Sequence, residues 1–342
     1  MSSKRDRIFT HYLITAGTAI FLSACGSDGG PGTGSISIAV TDVPVTEDVD
    51  VCIHFTGVTL HHSDGDLIEI PYDASSYTDA TGCIDNLDSG DPTSINNAVN
   101  LSALQGVLSE QLVQLELVKA GRYSWIRLDV DETLSYVVDS GGVWALSCPS
   151  CDAEQSGLKL NRGIVVPDGG TADIMIDVDL AKALNRDPSG DYMLRPTLRL
   201  VDLKETGDVA GTVAASLIPA MISDTDTGCK AYVYEGHNVT PDDYHDTDNV
   251  LTSAKVLYDA DSMSYSYVAA FLPTDSAAEP TSYTVALTCD DDDVDVDQNN
   301  DALNLTGNND DVIFTDGESN GLGQNADVMT NETTYVNFPP EI

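Results

Sequence analysis

Cations are scarce in this chain: 15 lysines and arginines stand against 56 aspartates and glutamates, for a formal net charge of −41. That shortage excludes nucleic acid as a partner, because neutralising phosphates requires a basic face. After residue 22 no apolar run approaches the roughly 20 residues a spanning helix needs, so no later segment reads as one. A phosphate loop, a G-x-G-x-x-G dinucleotide fingerprint and an HExxH zinc motif are all missing, which removes the nucleotide-binding and metalloprotease classes that depend on them. Long helical periodicity is scarce as well, leaving period-two alternation as the main structural signal.

What is present begins with residues 1–24. Lys4, Arg5 and Arg7 precede an apolar stretch from Ile8 to Leu22 that is interrupted by Thr10, His11, Tyr12 and Thr15. A basic start, an apolar middle and small residues before a cleavage point are the parts of an export signal peptide. Its ending, Leu22-Ser23-Ala24-Cys25, resembles a bacterial lipobox. The resemblance implies cleavage before Cys25, palmitate-type acylation of that cysteine and, since Gly26 rather than Asp follows it, sorting to the outer membrane. Residues 25–34 are rich in glycine and read as a flexible tether. Loss of residues 1–24 removes three cations and one anion, taking the net charge from −41 to −43. So strong a field fits divalent cations, positively charged surfaces or adaptation to salt.

Seven cysteines are an awkward number in an oxidising compartment, and acylation of Cys25 leaves six. Export makes disulfides their expected fate. Six cysteines allow 15 pairings; proximity in sequence and the domain division favour Cys52 with Cys83, Cys148 with Cys151, and Cys229 with Cys289. The CxxC at Cys148-Pro149-Ser150-Cys151 is followed by Asp152 instead of the histidine a haem site needs, and no second CxxC completes a zinc site. It reads as a structural clip.

Alternation marks strands at Ser35 to Val45, Val49 to Leu60, Leu67 to Pro71, Gln111 to Val118 and Tyr123 to Val130. Leu134 to Val138 and Val143 to Ser147 follow, joined by the turn residues Asp139-Ser140-Gly141-Gly142. Then come Gly157 to Val166, Thr171 to Leu180 and Tyr192 to Leu203, while Ser102 to Leu108 is the expected short helix. A composition shift near Leu203-Lys204-Glu205-Thr206-Gly207 divides the chain, and further strands occur at Val209 to Val213, Cys229 to Tyr234, Ala254 to Tyr258, Ser264 to Phe271 and Tyr283 to Cys289. Late strands are expected near Val312 to Phe314 and Thr333 to Phe338. The predicted architecture is all-β: two β-sandwich domains in tandem, 35–205 and 206–342, after the signal peptide and tether.

Three stretches carry a family resemblance: Ser35-Ile36-Ser37-Ile38-Ala39-Val40-Thr41-Asp42-Val43-Pro44, Phe55-Thr56-Gly57-Val58-Thr59-Leu60-His61 and Ala120-Gly121-Arg122-Tyr123-Ser124-Trp125-Ile126-Arg127-Leu128. They continue with Gly157 to Arg162, Val166-Pro167-Asp168-Gly169-Gly170 and Leu194-Arg195-Pro196-Thr197-Leu198-Arg199-Leu200. Together they resemble the bacterial and archaeal lipoprotein domain called Domain of Unknown Function 4382, over residues 35 to about 203. The resemblance implies an exported β domain, often lipid-anchored, and brings no reaction with it. His62 stands where that pattern usually has proline, and the paired cysteines are additions. Phe271-Leu272-Pro273 before Tyr283-Thr284-Val285 resembles in part the transthyretin-like or carboxypeptidase-regulatory-like sandwich.

Arg127, Arg162, Arg195 and Arg199 stand out among so few cations and are expected to neutralise carboxylates; a groove for a carboxylate or a sugar is the sharper alternative. Asp293, Asp295, Asp297, Asn299 and Asp301 place oxygen side chains at alternating positions of a calcium-loop register. Gln298 replaces the glycine and Asn304 the bidentate glutamate of an EF-hand, so the loop reads either as a Ca2+ site or as a solvated acidic segment. His61 and His62 are strand neighbours that point to opposite faces, which argues against a shared metal; with Ser63-Asp64-Gly65-Asp66 they read as a hairpin tip.

No catalytic residue is assigned, and calcium is the one cofactor considered. The sequence therefore reads as a lipid-anchored cell-envelope protein, not an enzyme, acting as a binding, adhesion or structural module. Its expected partners are the membrane, through the N-terminal lipid, and an envelope protein or polysaccharide. The alternatives are a calcium-stabilised adhesion module and a hydrolase acting on envelope polysaccharide.

Overall fold

Strands dominate because β-branched and aromatic residues alternate with polar ones through most of the chain. The computed structural model describes residues 32–43, 49–72, 83, 98–149, 151, 157–186, 191–195, 197–218, 226–241, 250–289, 314–315 and 323–339. The earlier strands are β1 (Thr33–Val43), β2 (Asp50–His62), β3 (Leu67–Pro71), β4 (Ala98–Asn100), β5 (Glu110–Lys119), β6 (Gly121–Val130), β7 (Tyr136–Asp139), β8 (Gly142–Ser147), β9 (Leu158–Leu160), β10 (Ile164–Val166), β11 (Thr171–Asp179), β12 (Leu184–Arg186), β13 (Tyr192–Leu194) and β14 (Leu198–Asp202). A single helical turn, α1 (Leu180–Ala183), interrupts them. The later strands are β15 (Thr206–Val213), β16 (Asp226–Glu235), β17 (Val250–Asp259), β18 (Ser264–Pro273), β19 (Thr281–Thr288), β20 (Phe314–Thr315), β21 (Gln324–Val328) and β22 (Thr333–Tyr335). The fold is all-β.

A four-stranded sheet, in the order β14-β11-β1-β5, packs on a ten-stranded one whose spine is β10-β6-β2-β7-β8-β13-β12. Ile36, Ile38 and Val40 of β1 and Ile174, Ile176 and Val178 of β11 share one core with Phe55, Val58 and Leu60 of β2 and Ile126 and Leu128 of β6. This is sandwich packing with alternating residues on the inner faces. The other face of the four-stranded sheet is covered too: Ala39, Met175 and Val201 are buried there, with Leu203 and Phe271 of β18 against them. From Ile174 to Asp179 β11 is therefore buried on both faces.

The eight-stranded sheet has the order β20-β19-β16-β17-β18-β15-β22. β21 pairs with β19, while β22, only a few residues later, pairs in parallel with β15 near the opposite edge. The segment from Gln324 to Tyr335 thus joins both sides of the sheet, which rolls around Val209, Val233, Val256, Leu272, Val285 and Phe338. At Gly211 of β15 a Cβ atom would lie 1.7 Å from the Val336 carbonyl oxygen, so only glycine admits the returning chain.

Three expectations are corrected. Ser102 to Leu108 is not a helix; only Leu101–Ala103 makes a 3-10 turn. Gly106 has φ +66, and the Leu104 carbonyl accepts from Asp42 N and Thr41 Oγ1 of β1, so it is not free for a helical bond. Gly157 to Val166 divides into β9 and β10, and Tyr192 to Leu203 into β13 and β14. Proline at position 196 carries no backbone N–H for a ladder. The disulfides join Cys52 to Cys83, Cys148 to Cys151 and Cys229 to Cys289. Among the described residues no helix is long and apolar enough to cross a membrane.

Candidate functional site

In β11 the series Ile174, Ile176, Val178 faces the sandwich core, so Met175, Asp177 and Asp179 project from the opposite face. Register then brings chemistry together. Thr41 of β1 pairs with Asp177, and Asp177 with Arg199 of β14, forming a row across three strands. Arg199 donates to Asp177 Oδ2 from Nη2 at 2.6 Å and from Nε at 3.1 Å. This charge-assisted pair is set by cross-strand neighbours. Asp177 is only 4% exposed.

Around this pair the chain buries further carboxylates. Asp179 caps α1, accepting from Lys182 N at 3.1 Å, and its Oδ2 lies 3.7 Å from Lys182 Nζ. Burial pushes its carboxyl up to about 6, the neighbouring Asp177 charge adds to the rise, and Lys182 opposes it. Asp42 accepts from Leu180 N at 3.1 Å. Burial also raises Asp42 well above the ordinary carboxyl range, with Asp177 and Asp179 contributing repulsion. Four buried atoms here have no hydrogen-bond partner among the described residues: Asp177 Oδ1, Arg199 Nη1, Asp42 Oδ2 and Ser253 Oγ. Unsatisfied buried polar atoms each cost about 1–3 kcal/mol, and they are usually few.

Asp177, Asp179 and Arg199 border a cavity of about 440 Å³ between the four-stranded sheet and the eight-stranded one. Asp177, Asp179, Lys182 and Arg199 supply its charged side, Glu235 of β16 faces it, and Leu198, Val250 and Leu251 supply apolar wall. Lys182 bridges the two sheets by donating from Nζ to the Val250 carbonyl at 3.1 Å. A neighbouring cavity of about 10 Å³, with room for a single water, is bordered by Asp42, Ser253, Asp177 and Arg199. The larger space is within the range of small-ligand pockets, about 300–1,000 Å³.

Of the four arginines singled out in the sequence, Arg199 alone borders this cavity. Arg127 bonds Asp129 at 2.6 Å and Thr59 at 3.0 Å, while Arg162 donates to the Leu200 carbonyl at 3.0 Å. Arg195 is exposed. His61 stacks on Trp125 with ring centroids 4.9 Å apart, and buried His62 lies 2.6 Å from Asp64, closing the hairpin tip. Cys25 and the acidic positions Asp293, Asp295, Asp297, Asn299 and Asp301 lie outside the described residues. Among the described residues no three His, Cys, Asp or Glu side chains group around a metal-sized site.

Sequence reasoning missed Asp42, Asp177, Asp179, Lys182 and Glu235. The available signal was Ile174-Met175-Ile176-Asp177-Val178-Asp179, where carboxylates interrupt a strand otherwise apolar on both faces. It also took a GxSxG motif to be absent, although Gly317-Glu318-Ser319-Asn320-Gly321 spells one. That motif acts where a strand turns sharply into a helix, and it lies outside the described residues.

No curated protein matches the chain. Among solved structures it is similar to a candidate cell adhesion protein from Bacteroides fragilis, at 10% identity over 89% of this chain and 92% of that one, with a TM-score of 0.18. It is also similar to a candidate adhesin from Bacteroides ovatus, at 9% identity over 93% of this chain and 87% of that one, with a TM-score of 0.19. Likeness at these scores transfers neither architecture nor role. Residues 33–196 match the family described as Domain of unknown function (DUF4382), which supports the family resemblance carried by the sequence motifs.

Proposed function

We propose that this protein is a lipid-anchored binding module of the cell envelope, tethered through Cys25 at the outer membrane, that holds a small polar ligand between its four-stranded and eight-stranded sheets. The observation that carries the reading is the cavity of about 440 Å³, bordered by the charged side chains of Asp177, Asp179, Lys182, Arg199 and Glu235 together with the apolar Leu198, Val250 and Leu251. An apolar wall with a few polar groups is the usual lining of a small-ligand pocket. Binding is favoured over acyl transfer because the described residues that border the cavity include no cysteine, serine or histidine that could form a nucleophile–base pair. The test is native mass spectrometry of protein taken from its own envelope, before and after unfolding, for the wild type and Thr197→Trp. Thr197 is exposed and borders the cavity, so tryptophan there fills the mouth. A small co-purifying mass lost in the variant supports the reading; no such mass, or one indifferent to the variant, overturns it.

A second reading, hydrolysis of envelope polysaccharide, is favoured by one observation: the raised Asp179 carboxyl shares the cavity with Glu235. Paired carboxyl groups with separated pKa values are the machinery of glycoside hydrolysis. Turnover of envelope polysaccharide that disappears in both Asp179→Asn and Glu235→Gln would establish it.

A further inference from the structure

Large apolar side chains left in solvent are not spread evenly over this molecule. Of the eleven among the described residues, Val107, Leu108, Leu115 and Leu117 fall within one short stretch of chain. That stretch runs into β5, the edge strand of the four-stranded sheet, beside β1. Leu117 is 66% exposed and Leu115 61%. Leu115 also has φ +50, a backbone region that leucine rarely adopts. The register shifts there: Gln114 and Leu115 stand opposite the single residue Ser37, and Leu115 N donates to Ser37 Oγ at 3.2 Å. Such a bulge interrupts the free edge and blunts it against an added strand. The edge is thus guarded against strand pairing and yet carries exposed leucines, which suits an apolar partner that is not another strand.

Where the chain enters β1 indicates that partner. The Gly32 carbonyl accepts from Ala120 N at 2.8 Å, and Thr33 pairs with Lys119, so the start of β1 lies against the end of β5. Leu117 stands opposite Ser35, two residues further on. Cys25 precedes Thr33 by eight positions, which the chain can span by at most about 28 Å. β1 is 11 residues long, about 36 Å at the usual rise per residue. The reach from Cys25 is therefore shorter than the strand it leads into, and a lipid on Cys25 keeps the Leu117 end of β5 close to the bilayer. A second copy is the poorer occupant, because two chains of formal charge −41 repel each other, whereas zwitterionic lipid opposes neither.

Resting on the reading that Cys25 is acylated, we propose that β5 is the membrane-facing edge of this protein. Leu115 and Leu117 enter the boundary between headgroups and acyl chains, and Val107 and Leu108 continue the same edge. Contact of this kind strengthens with the apolar area buried, and it gives the anchored chain one orientation on the lipid surface.

The test uses acylated full-length protein taken from its envelope and reconstituted into phosphatidylcholine vesicles, with or without bromine on the acyl chains near the headgroup. A tryptophan is introduced as Leu117→Trp or, for comparison, as Val143→Trp, an exposed position on β8 in the ten-stranded sheet. The fluorescence of the native Trp125 and Trp144 is subtracted. Both variants should keep the wild-type circular dichroism, since both positions face solvent. Brominated lipid is expected to quench the added signal of Leu117→Trp several-fold more than that of Val143→Trp. Equal quenching of the two, in vesicles that carry the protein, overturns the membrane-facing edge and leaves the anchor standing. A Leu117→Trp signal that brominated lipid leaves unchanged, but that becomes shielded from acrylamide as protein on the vesicles is increased, assigns the edge to a second copy and overturns the proposal too. Protein that fails to float with the vesicles overturns the anchor, and the membrane-facing edge with it.

Discussion

Asp177 and Arg199 face each other across adjacent antiparallel strands, with Arg199 Nη2 2.6 Å from Asp177 Oδ2, while Asp177 Oδ1 and Arg199 Nη1 stay buried without a partner among the described residues. The pair is half satisfied by the protein itself. Taking two charges out of water costs several kcal/mol per ion, and their attraction offsets this only when the remaining lone pairs and protons are also matched.

Asp177→Asn should destabilise the protein by about 3 kcal/mol, because it leaves the Arg199 guanidinium without its counter-charge. The double variant Asp177→Leu with Arg199→Met should recover most of that loss, since no buried charge remains. Urea unfolding of the three proteins checks the order; equal midpoints for the single and double variants would contradict it.

Asp179 gives a pH dependence with a definite sign. Its carboxyl rises from the ordinary 3.8 to about 6 on folding, so the folded state binds the proton more tightly. The stability this contributes is complete below about pH 4 and is lost as pH climbs through about 6, a change of roughly 2–3 kcal/mol. Asp42, raised by burial, acts in the same direction. Asparagine can keep the helix cap, so Asp179→Asn should fold and show a smaller decline in Tm between pH 4 and 8 than the wild type. A parallel decline in the two proteins would count against it.

The disulfides should differ in worth according to the loops they close. Cys229–Cys289 spans 60 residues and Cys148–Cys151 only 3. In the chain-entropy description these correspond to about 4 and about 2 kcal/mol. Cys229→Ser with Cys289→Ser should therefore lower stability about twice as much as Cys148→Ser with Cys151→Ser, measured by denaturant unfolding under oxidising conditions.

Acylation should be found at Cys25. Mass spectrometry of protein extracted from the envelope is expected to show a lipid-modified N-terminus there, and Cys25→Ser should move the chain to the soluble fraction. An unmodified Met1 start would remove the anchor from the proposal.

Strands were the legible part of this fold. Leu67–Pro71 has the bounds that alternation assigns, and β1, β2, β6 and β11 differ by a few residues at their ends, because period two is a local property of the pleated backbone. Ala98–Asn100 and Gln324–Val328 were not legible; each is short, and partners distant in sequence complete its ladder. The helix expected at Ser102 to Leu108 failed for a related reason: β1 takes the Leu104 carbonyl that a helix would have used.

Composition and local pattern determined by themselves the all-β class, the acidic field and the choice of strands, because charge and side-chain alternation are written residue by residue. The cavity was decided only by the tertiary structure. Asp177 reads in the sequence as one of 56 acidic residues. It becomes distinctive when β14 brings Arg199 beside it, α1 brings Lys182, and the rolled eight-stranded sheet covers the face on which all three lie. Burial turns ordinary charges into costly ones, and burial is a property of chain segments that meet far apart in sequence.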